Sequence, residues 1–118
     1  MFSPAVLDHF QNPRNAGELP GATTVVEATN PVCGDILRLA VRVENGRIAE
    51  ARFQTRGCVT SIACSSLLTE LLAGRLLAEA DAITPQLIGE RLGGLEPSTR
   101  HAAQLARDAV EALLAQAR

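Results

Sequence analysis

Two segments in the middle of the chain alternate between apolar and polar residues, which is the pattern of half-buried strands. The alternation runs from Ile36 to Val43 and again from Ile48 to Arg56. Between them, Asn45-Gly46 is a two-residue turn of the kind that joins antiparallel strands. Thr23 to Thr29 is rich in Thr and Val and predicts a further strand, which stops at Asn30-Pro31. We therefore expect three strands, of which the last two form a hairpin with one apolar face.

Apolar residues recur at helical spacing in much of the remaining chain. Ser3-Pro4 and Thr84-Pro85 each combine an N-cap residue with proline at the first helical position. Residues 12–22 are rich in Asn, Pro and Gly and predict a loop. A helix, three strands and further helices indicate an α+β domain of two layers, with helices only on the apolar side of the sheet. The predicted helices span about residues 3–11, 60–73, 84–92 and 97–116, with one or two further turns over about 76–81.

The composition of the chain excludes several classes of protein. Its 118 residues suit one domain with a real core. The net charge is -2, and Trp and Tyr are absent, so we expect no nucleic-acid partner. No apolar run reaches the roughly 20 residues of a membrane span, and Met1 to Pro4 lacks the basic region of a secretory signal. We expect a cytoplasmic protein with no membrane partner, whose three cysteines are buried, catalytic or metal-bound.

Four side chains are candidates for binding one metal ion. Cys33 lies in a bend between strands, where Gly34 permits a backbone that lets the thiol and the Asp35 carboxylate project together. Cys58 lies at the start of a predicted helix, near free amides that favour the thiolate, the form that binds metals and attacks sulfur. His101, in the first turn of the last helix, adds an imidazole, and such a set suits tetrahedral zinc. Each residue also has an interpretation without a metal. Cys33 would be an incidental small residue in a turn, Cys58 a buried residue at a helix start, and His101 a solvated or packing residue.

Two other residues with suitable side chains are predicted to lie outside this set. Cys64 follows Cys58 by six residues along a helix, which rotates its side chain roughly 120° away. We therefore expect Cys64 to be a buried and inert thiol. The apolar stripe predicted for the first helix consists of Val6, Leu7 and Phe10. His9 lies opposite this stripe and is predicted to be a surface residue. Motifs typical of zinc ribbons, nucleotide-binding proteins and hydrolases do not occur in the sequence.

Four motifs, in the correct order, resemble those of the U-type iron-sulfur cluster assembly scaffolds, the IscU/NifU-like proteins. They run from Asp8 to Asn15, from Pro31 to Asp35, from Arg52 to Cys58 and from His101 to Ala109. The resemblance implies one IscU/NifU-like domain over residues 1–118, with a three-stranded antiparallel sheet packed against helices. It also implies a scaffold and not an enzyme. Such a scaffold receives sulfur from a cysteine desulfurase, combines it with iron and hands a [2Fe-2S] cluster to apoproteins.

The same resemblance assigns roles to the candidate ligands. Cys33 and Cys58 match two of the three cluster cysteines. Asp35 matches the aspartate that keeps the cluster labile, and His101 matches the histidine beside the third thiol. These four residues are then the expected ligands of a labile [2Fe-2S] cluster or of iron, with zinc as an alternative occupant. Cys58 and Cys33 become the candidate persulfide acceptors, and no residue is assigned a catalytic role of its own.

The chain departs from the family pattern at two places. Ala102 stands where the third cysteine is expected, and a methyl group can neither ligate iron nor accept a persulfide. This leaves two alternatives open: a degenerate paralogue that binds zinc or docks on a cysteine desulfurase as a regulator, or an empty site. The second departure is the segment from Leu95 to Thr99, which replaces the Leu-Pro-Pro-Val-Lys sequence that a dedicated heat-shock chaperone reads in some relatives. We expect no recognition by that chaperone.

Overall fold

The computed structural model describes residues 2–117 and has the predicted order of a helix, three strands and further helices. The last predicted helix is divided, because its first turn is a separate 3-10 helix. The elements are α1 (Pro4–Gln11), β1 (Thr24–Thr29), β2 (Ile36–Glu44), β3 (Arg47–Arg56), α2 (Val59–Leu72), a 3-10 helix (Leu77–Ala82), α3 (Pro85–Arg91), a 3-10 helix (Pro97–Thr99) and α4 (Arg100–Ala117).

The three strands form one antiparallel sheet in the order β1-β2-β3, which confirms the predicted fold class. Asn45 and Gly46 both have positive φ, 53° and 76°, as a tight turn between β2 and β3 requires. On the solvent side of the sheet, Glu27 of β1 faces Arg38 of β2, and the two side chains form an ion pair. Arg38, a polar position of the alternation, therefore lies on the solvent side as the pattern predicted.

The loop of residues 12–22 covers the edge of β3. Its backbone pairs with that strand at Ala16, which forms a parallel bridge with Phe53. The Gly17 amide donates to the Phe53 carbonyl at 2.8 Å, and the Phe53 amide donates to the Asn15 carbonyl at 3.0 Å. These bonds satisfy strand-edge groups that would otherwise be open to pairing with another chain.

The core lies between the apolar face of the sheet and the helices. Helix α4 packs on β1 and β2, α2 packs on β3, and α1 lies against α2. Within residues 2–117, no helix has both the length and the apolar character needed to cross a bilayer. The fully buried leucines come from every layer: Leu37 and Leu39 of β2, Leu68 and Leu72 of α2, Leu92 after α3, and Leu105 and Leu113 of α4.

Candidate metal centre

Cys33 lies in the turn between β1 and β2, and local hydrogen bonds shape that turn. The Asn30 side-chain oxygen accepts hydrogen bonds from the amides of Val32, at 2.9 Å, and Cys33, at 3.4 Å. The Gly34 amide donates to the Asn30 carbonyl at 2.8 Å, with Gly34 at a φ of 78°. Glycine adopts this left-handed backbone without the steric cost of a side chain. The turn presents Cys33 as an exposed, free thiol.

Asp35 and His101 complete a compact group with Cys33. The ligand atoms of the three side chains all lie within 4.8 Å of one another. Cys33 is exposed, whereas Asp35 and His101 are half-buried. His101 is the second residue of α4, so the group joins one end of the sheet to the start of the last helix. A thiol, a carboxylate and an imidazole suit a borderline metal such as zinc or iron(II).

The Asp35 carboxylate is held in place by the segment that leads into α2. Its Oδ2 accepts hydrogen bonds from the Ser61 hydroxyl at 2.6 Å and from the Cys58 amide at 3.4 Å. Gly57 lies so close that a Cβ on it would stand 2.7 Å from Asp35 Cγ. The Ser61 hydrogen bond, with smaller help from Cys58 and Cys33, lowers the pKa of Asp35 against the opposing effect of burial. The carboxylate is therefore favoured in the charged form that binds a cation.

Cys58 contacts Asp35 but does not belong to the mutual 4.8 Å group found among the described residues. It is the N-cap of α2, where its Sγ accepts a hydrogen bond from the Ser61 amide at 3.4 Å. The same Sγ lies 3.3 Å from the Ser61 hydroxyl oxygen. The position at a helix N-terminus is the one predicted from sequence, and the thiol is exposed and free. Of the four predicted ligands, three lie together directly, and Cys58 lies beside them against Asp35.

The side chains of Cys64 and Ala102 are buried. Cys64 is fully buried in α2, and this burial raises the pKa of its thiol to about 12, with a smaller contribution from Cys58. The predicted burial of Cys64 is confirmed, and a thiol that keeps its proton is a poor metal ligand and nucleophile. Ala102 is 1% exposed and belongs to the hydrophobic core cluster. The residue that replaces the third cysteine therefore packs as a core residue.

The prediction that His9 is a surface residue is wrong. His9 is 8% exposed, with Nδ1 2.8 Å from Ser66 Oγ and Nε2 3.4 Å from a Glu70 carboxylate oxygen. Helix α1 turns Val6 and His9 towards α2, leaving the apolar Leu7 exposed. Periodicity within α1 gave no sign of this orientation, because the polar partners of His9 lie on another helix. The pairing satisfies a ring that would otherwise be costly to bury.

Ser61 is the residue near the site that sequence reasoning missed. It is fully buried, yet its hydroxyl contacts both Asp35 and Cys58, and its amide donates to the Cys58 sulfur. One signal was available: Ser61 lies three residues after the helix-capping Cys58, where the backbone amide bonds to the cap. The contact with Asp35 was not visible, because Asp35 lies in a different part of the chain.

The protein is a small α+β domain in which an antiparallel sheet packs against helices. Thiols, a carboxylate and an imidazole lie together at one end and form a candidate metal centre. The model of the family described as "NifU-like N terminal domain" matches residues 1–117. The chain belongs to this NifU-like family.

Named relatives are similar over most of the chain. It is 44% identical over 110 residues to "Iron-sulfur cluster assembly scaffold protein IscU 1" of Archaeoglobus fulgidus, covering 93% of this chain and 72% of that protein. It is 44% identical over 117 residues to "Iron-sulfur cluster assembly scaffold protein IscU" of Azotobacter vinelandii, covering 94% and 89%. The corresponding protein of Haemophilus influenzae is 43% identical over 120 residues, covering 97% and 93%.

Solved structures share the fold. A protein of Fervidobacterium islandicum, described as a candidate iron-sulfur cluster assembly scaffold of the SUF system, matches with a TM-score of 0.74 at 19% identity, covering 93% of each chain. The N-terminal part of a NifU-like protein from Brucella abortus matches with a TM-score of 0.65 at 19% identity, covering 95% of this chain and 81% of that one. At these identities the likeness concerns the fold alone.

Proposed function

We propose that this protein is an iron-sulfur cluster assembly scaffold that acts as a single domain. The observation that carries the proposal is the close approach of Cys33, Asp35 and His101, with ligand atoms within 4.8 Å of one another, in a chain 44% identical to named scaffolds. Those relatives favour a scaffold over the alternative of a degenerate regulator.

The cargo is a labile [2Fe-2S] cluster or its iron precursor, and zinc is an alternative occupant. Cys33, Asp35 and His101 bind the metal, and Cys58 approaches from the neighbouring helix start. The set has two thiols, because Ala102 supplies none. Imidazole and carboxylate are harder ligands than thiolate, and the cluster should therefore be held weakly enough to be passed on.

Sulfur reaches an acceptor thiol by exchange with the persulfide of a cysteine desulfurase, whose own thiol is the leaving group. An external two-electron donor then reduces this sulfur to the sulfide of the cluster, which apoproteins receive. Cys58 and Cys33 are the proposed acceptors, since both thiols are exposed and free, whereas Cys64 is enclosed in the core. Two exposed thiols are compatible with a reducing cytoplasm, which is the proposed compartment. The segment from Leu95 to Thr99 favours operation without the dedicated heat-shock chaperone.

Anaerobic reconstitution with ferrous iron and sulfide tests the proposed function. The parent protein should develop the visible absorption of an iron-sulfur cluster, with iron and sulfide contents that agree by chemical analysis. Cys33→Ala and Cys58→Ala should each abolish the chromophore. Cys64→Ala is the matched control and should keep it, because the buried thiol takes no part. One zinc per chain with no chromophore in the parent protein would contradict a scaffold role.

A further inference from the structure

Ser61 is the one described side chain whose hydroxyl is within hydrogen-bond distance of two of the proposed ligands. Its Oγ donates to Asp35 Oδ2 at 2.6 Å and lies 3.3 Å from Cys58 Sγ. Its amide donates to the same sulfur at 3.4 Å. None of the roles already proposed for cysteine, aspartate and histidine uses this serine.

The hydroxyl of Ser61 has one proton to donate, and this decides how its contacts are shared. The proton goes to the Asp35 carboxylate, which only accepts. The thiol of Cys58 can then donate to the lone pairs of Oγ, while the Ser61 amide donates to the sulfur. A single residue thereby links the carboxylate to the thiol at a fixed distance.

The position of Ser61 is itself fixed by the fold. Ser61 is fully buried in the first turn of α2. Its carbonyl accepts a hydrogen bond from the Ser65 hydroxyl at 2.8 Å, and Ser65 in turn accepts one from the Thr55 hydroxyl of β3 at 2.7 Å. These bonds tie the start of the helix to the sheet, so the hydroxyl that meets Asp35 has little freedom to move.

Gly57 also lies against the Asp35 carboxylate, next to the oxygen that Ser61 bonds. An added Cβ at Gly57 would stand 2.7 Å from both Cγ and Oδ2 of Asp35, which is too close for non-bonded atoms. The carboxylate is therefore in contact with both a hydroxyl donor and a backbone position that has no room for a side chain. Oδ2 is occupied by Ser61 and Cys58, which leaves the other oxygen to face a metal.

We infer that Ser61 is a positioning residue of the metal centre, which orients the Asp35 carboxylate and the Cys58 thiol for one metal ion. This role presupposes the proposed function and adds a residue to it. Hydrogen-bonding partners of metal ligands fix ligand orientation, and their removal commonly lowers metal affinity about 10-fold to 100-fold. Ser61→Ala should lower the affinity within that range.

Cobalt(II) alone is a suitable probe, because its absorption bands report coordination number, geometry and thiolate ligation. Titration of the reduced, folded protein gives a dissociation constant and a spectrum in one experiment. Ser61→Ala should weaken binding about 10-fold or more and change the ligand-field bands, since Asp35 is then free to rotate. Ser66→Ala removes another buried serine hydroxyl from the same helix, one that bonds to His9 and to the Arg14 amide, and is the matched control. It should retain the parent spectrum.

Gly57→Ala perturbs the same carboxylate by a different means. The added methyl pushes Asp35 aside without removing any hydrogen-bond donor, so it should also lower cobalt affinity and alter the ligand-field bands. Gly89→Ala is the control for this change, because the nearest atom to its Cβ is Leu95 Cγ at an ordinary 3.8 Å. Circular dichroism and thermal unfolding establish that each variant is folded. If Ser61→Ala does not fold, Gly57→Ala decides the outcome.

The outcomes separate this inference from the proposed function. A parent protein that binds no cobalt would overturn the proposed function and, with it, the role of Ser61. A parent that binds cobalt while folded Ser61→Ala matches it in affinity and spectrum would overturn the inference alone. Weaker binding with altered bands in Ser61→Ala and Gly57→Ala, and parent behaviour in both controls, supports it.

Discussion

A chain of hydrogen bonds through the His9 imidazole holds α1 to α2. The Arg14 amide donates to Ser66 Oγ at 2.8 Å, so the hydroxyl proton of Ser66 is available for His9 Nδ1. The proton of the neutral ring then lies on Nε2, which faces Glu70. Burial and, to a lesser extent, Arg14 lower the pKa of His9, against opposing effects of Glu70 and Asp8. The folded state therefore favours the neutral ring.

The lowered pKa of His9 predicts that mild acid weakens the fold. In the unfolded chain a histidine titrates near its ordinary pKa of 6.5, so the unfolded state takes up a proton that the folded state resists. The free energy of unfolding should fall as the pH drops from about 6.5 through the folded pKa of His9. Urea unfolding at a series of pH values measures the slope. His9→Gln should remove most of this pH dependence, and His101→Ala, the control, should keep it. Loss of the pH dependence in His101→Ala and not in His9→Gln would refute its assignment to His9.

Introducing a thiol at position 102, beside His101, tests whether the alanine there shortens the lifetime of a bound cluster. Ala102→Cys should slow the loss of a reconstituted cluster, because thiolate is a softer iron ligand than imidazole or carboxylate. The decay of visible absorption in the presence of a chelator measures the effect. Ala103→Cys places the thiol one residue further along α4 and should leave the decay rate unchanged. An unchanged rate in Ala102→Cys would mean that this core position does not face the ligands.

At the scale of elements, the β2–β3 hairpin is closed by a turn that also anchors a later segment. Asn45 and Gly46 occupy the left-handed region that a two-residue turn of this type needs. The Gly46 carbonyl accepts a hydrogen bond from the Leu77 amide at 2.8 Å. The Arg47 guanidinium donates to the Gly74 carbonyl just after α2. The turn thus connects the far end of the sheet to the chain that follows α2.

Gly46→Ala should destabilise the protein by about 1–2 kcal/mol, because an L-residue with a side chain resists positive φ. Metal affinity should not change, since the turn lies at the opposite end of β2 from Asp35. Gly89→Ala, within α3 and without a positive φ, is the control and should stabilise by roughly 0.5–1 kcal/mol. Denaturant unfolding compares the two variants. A destabilising Gly89→Ala or a neutral Gly46→Ala would contradict this account.

For the whole molecule, metal binding and folding are coupled. Cys33, Asp35, Cys58 and His101 come from the β1–β2 turn, the start of α2 and the start of α4. Only the packed core holds these three places together, so the unfolded chain lacks the site. A metal that binds the folded state therefore raises the free energy of unfolding by mass action.

Zinc should stabilise the parent protein by about 2.7 kcal/mol when its free concentration is 100 times the dissociation constant. Thermal unfolding with and without zinc measures the gain. Cys33→Ala should lose most of this stabilisation by zinc. Cys64→Ala removes the buried thiol and should be stabilised by zinc as much as the parent protein, when each is compared with its own metal-free form. Equal gains in the parent and in Cys33→Ala would place zinc elsewhere.

The hairpin, the helices that begin with proline and the turn that holds Cys33 could be predicted because their causes are local. Alternation, cap residues and Gly34 act within a few residues of the positions they control. The predicted α1 stripe was less accurate, because Leu7 is exposed while His9 is buried against α2. The face of a short helix that is buried depends on the neighbouring element against which it packs, and the pattern within the helix does not predict that face.

The sequence by itself determined the order of elements, the fold class and four candidate ligands, because spacing and motif order are properties of the chain. Only the tertiary structure decided which side chains meet. It brought Cys33, Asp35 and His101 within 4.8 Å of one another and left Cys58 capping α2 against Asp35. It also placed Ser61 between two ligands. Such contacts join residues far apart in sequence, and their distances depend on how the helices pack on the sheet.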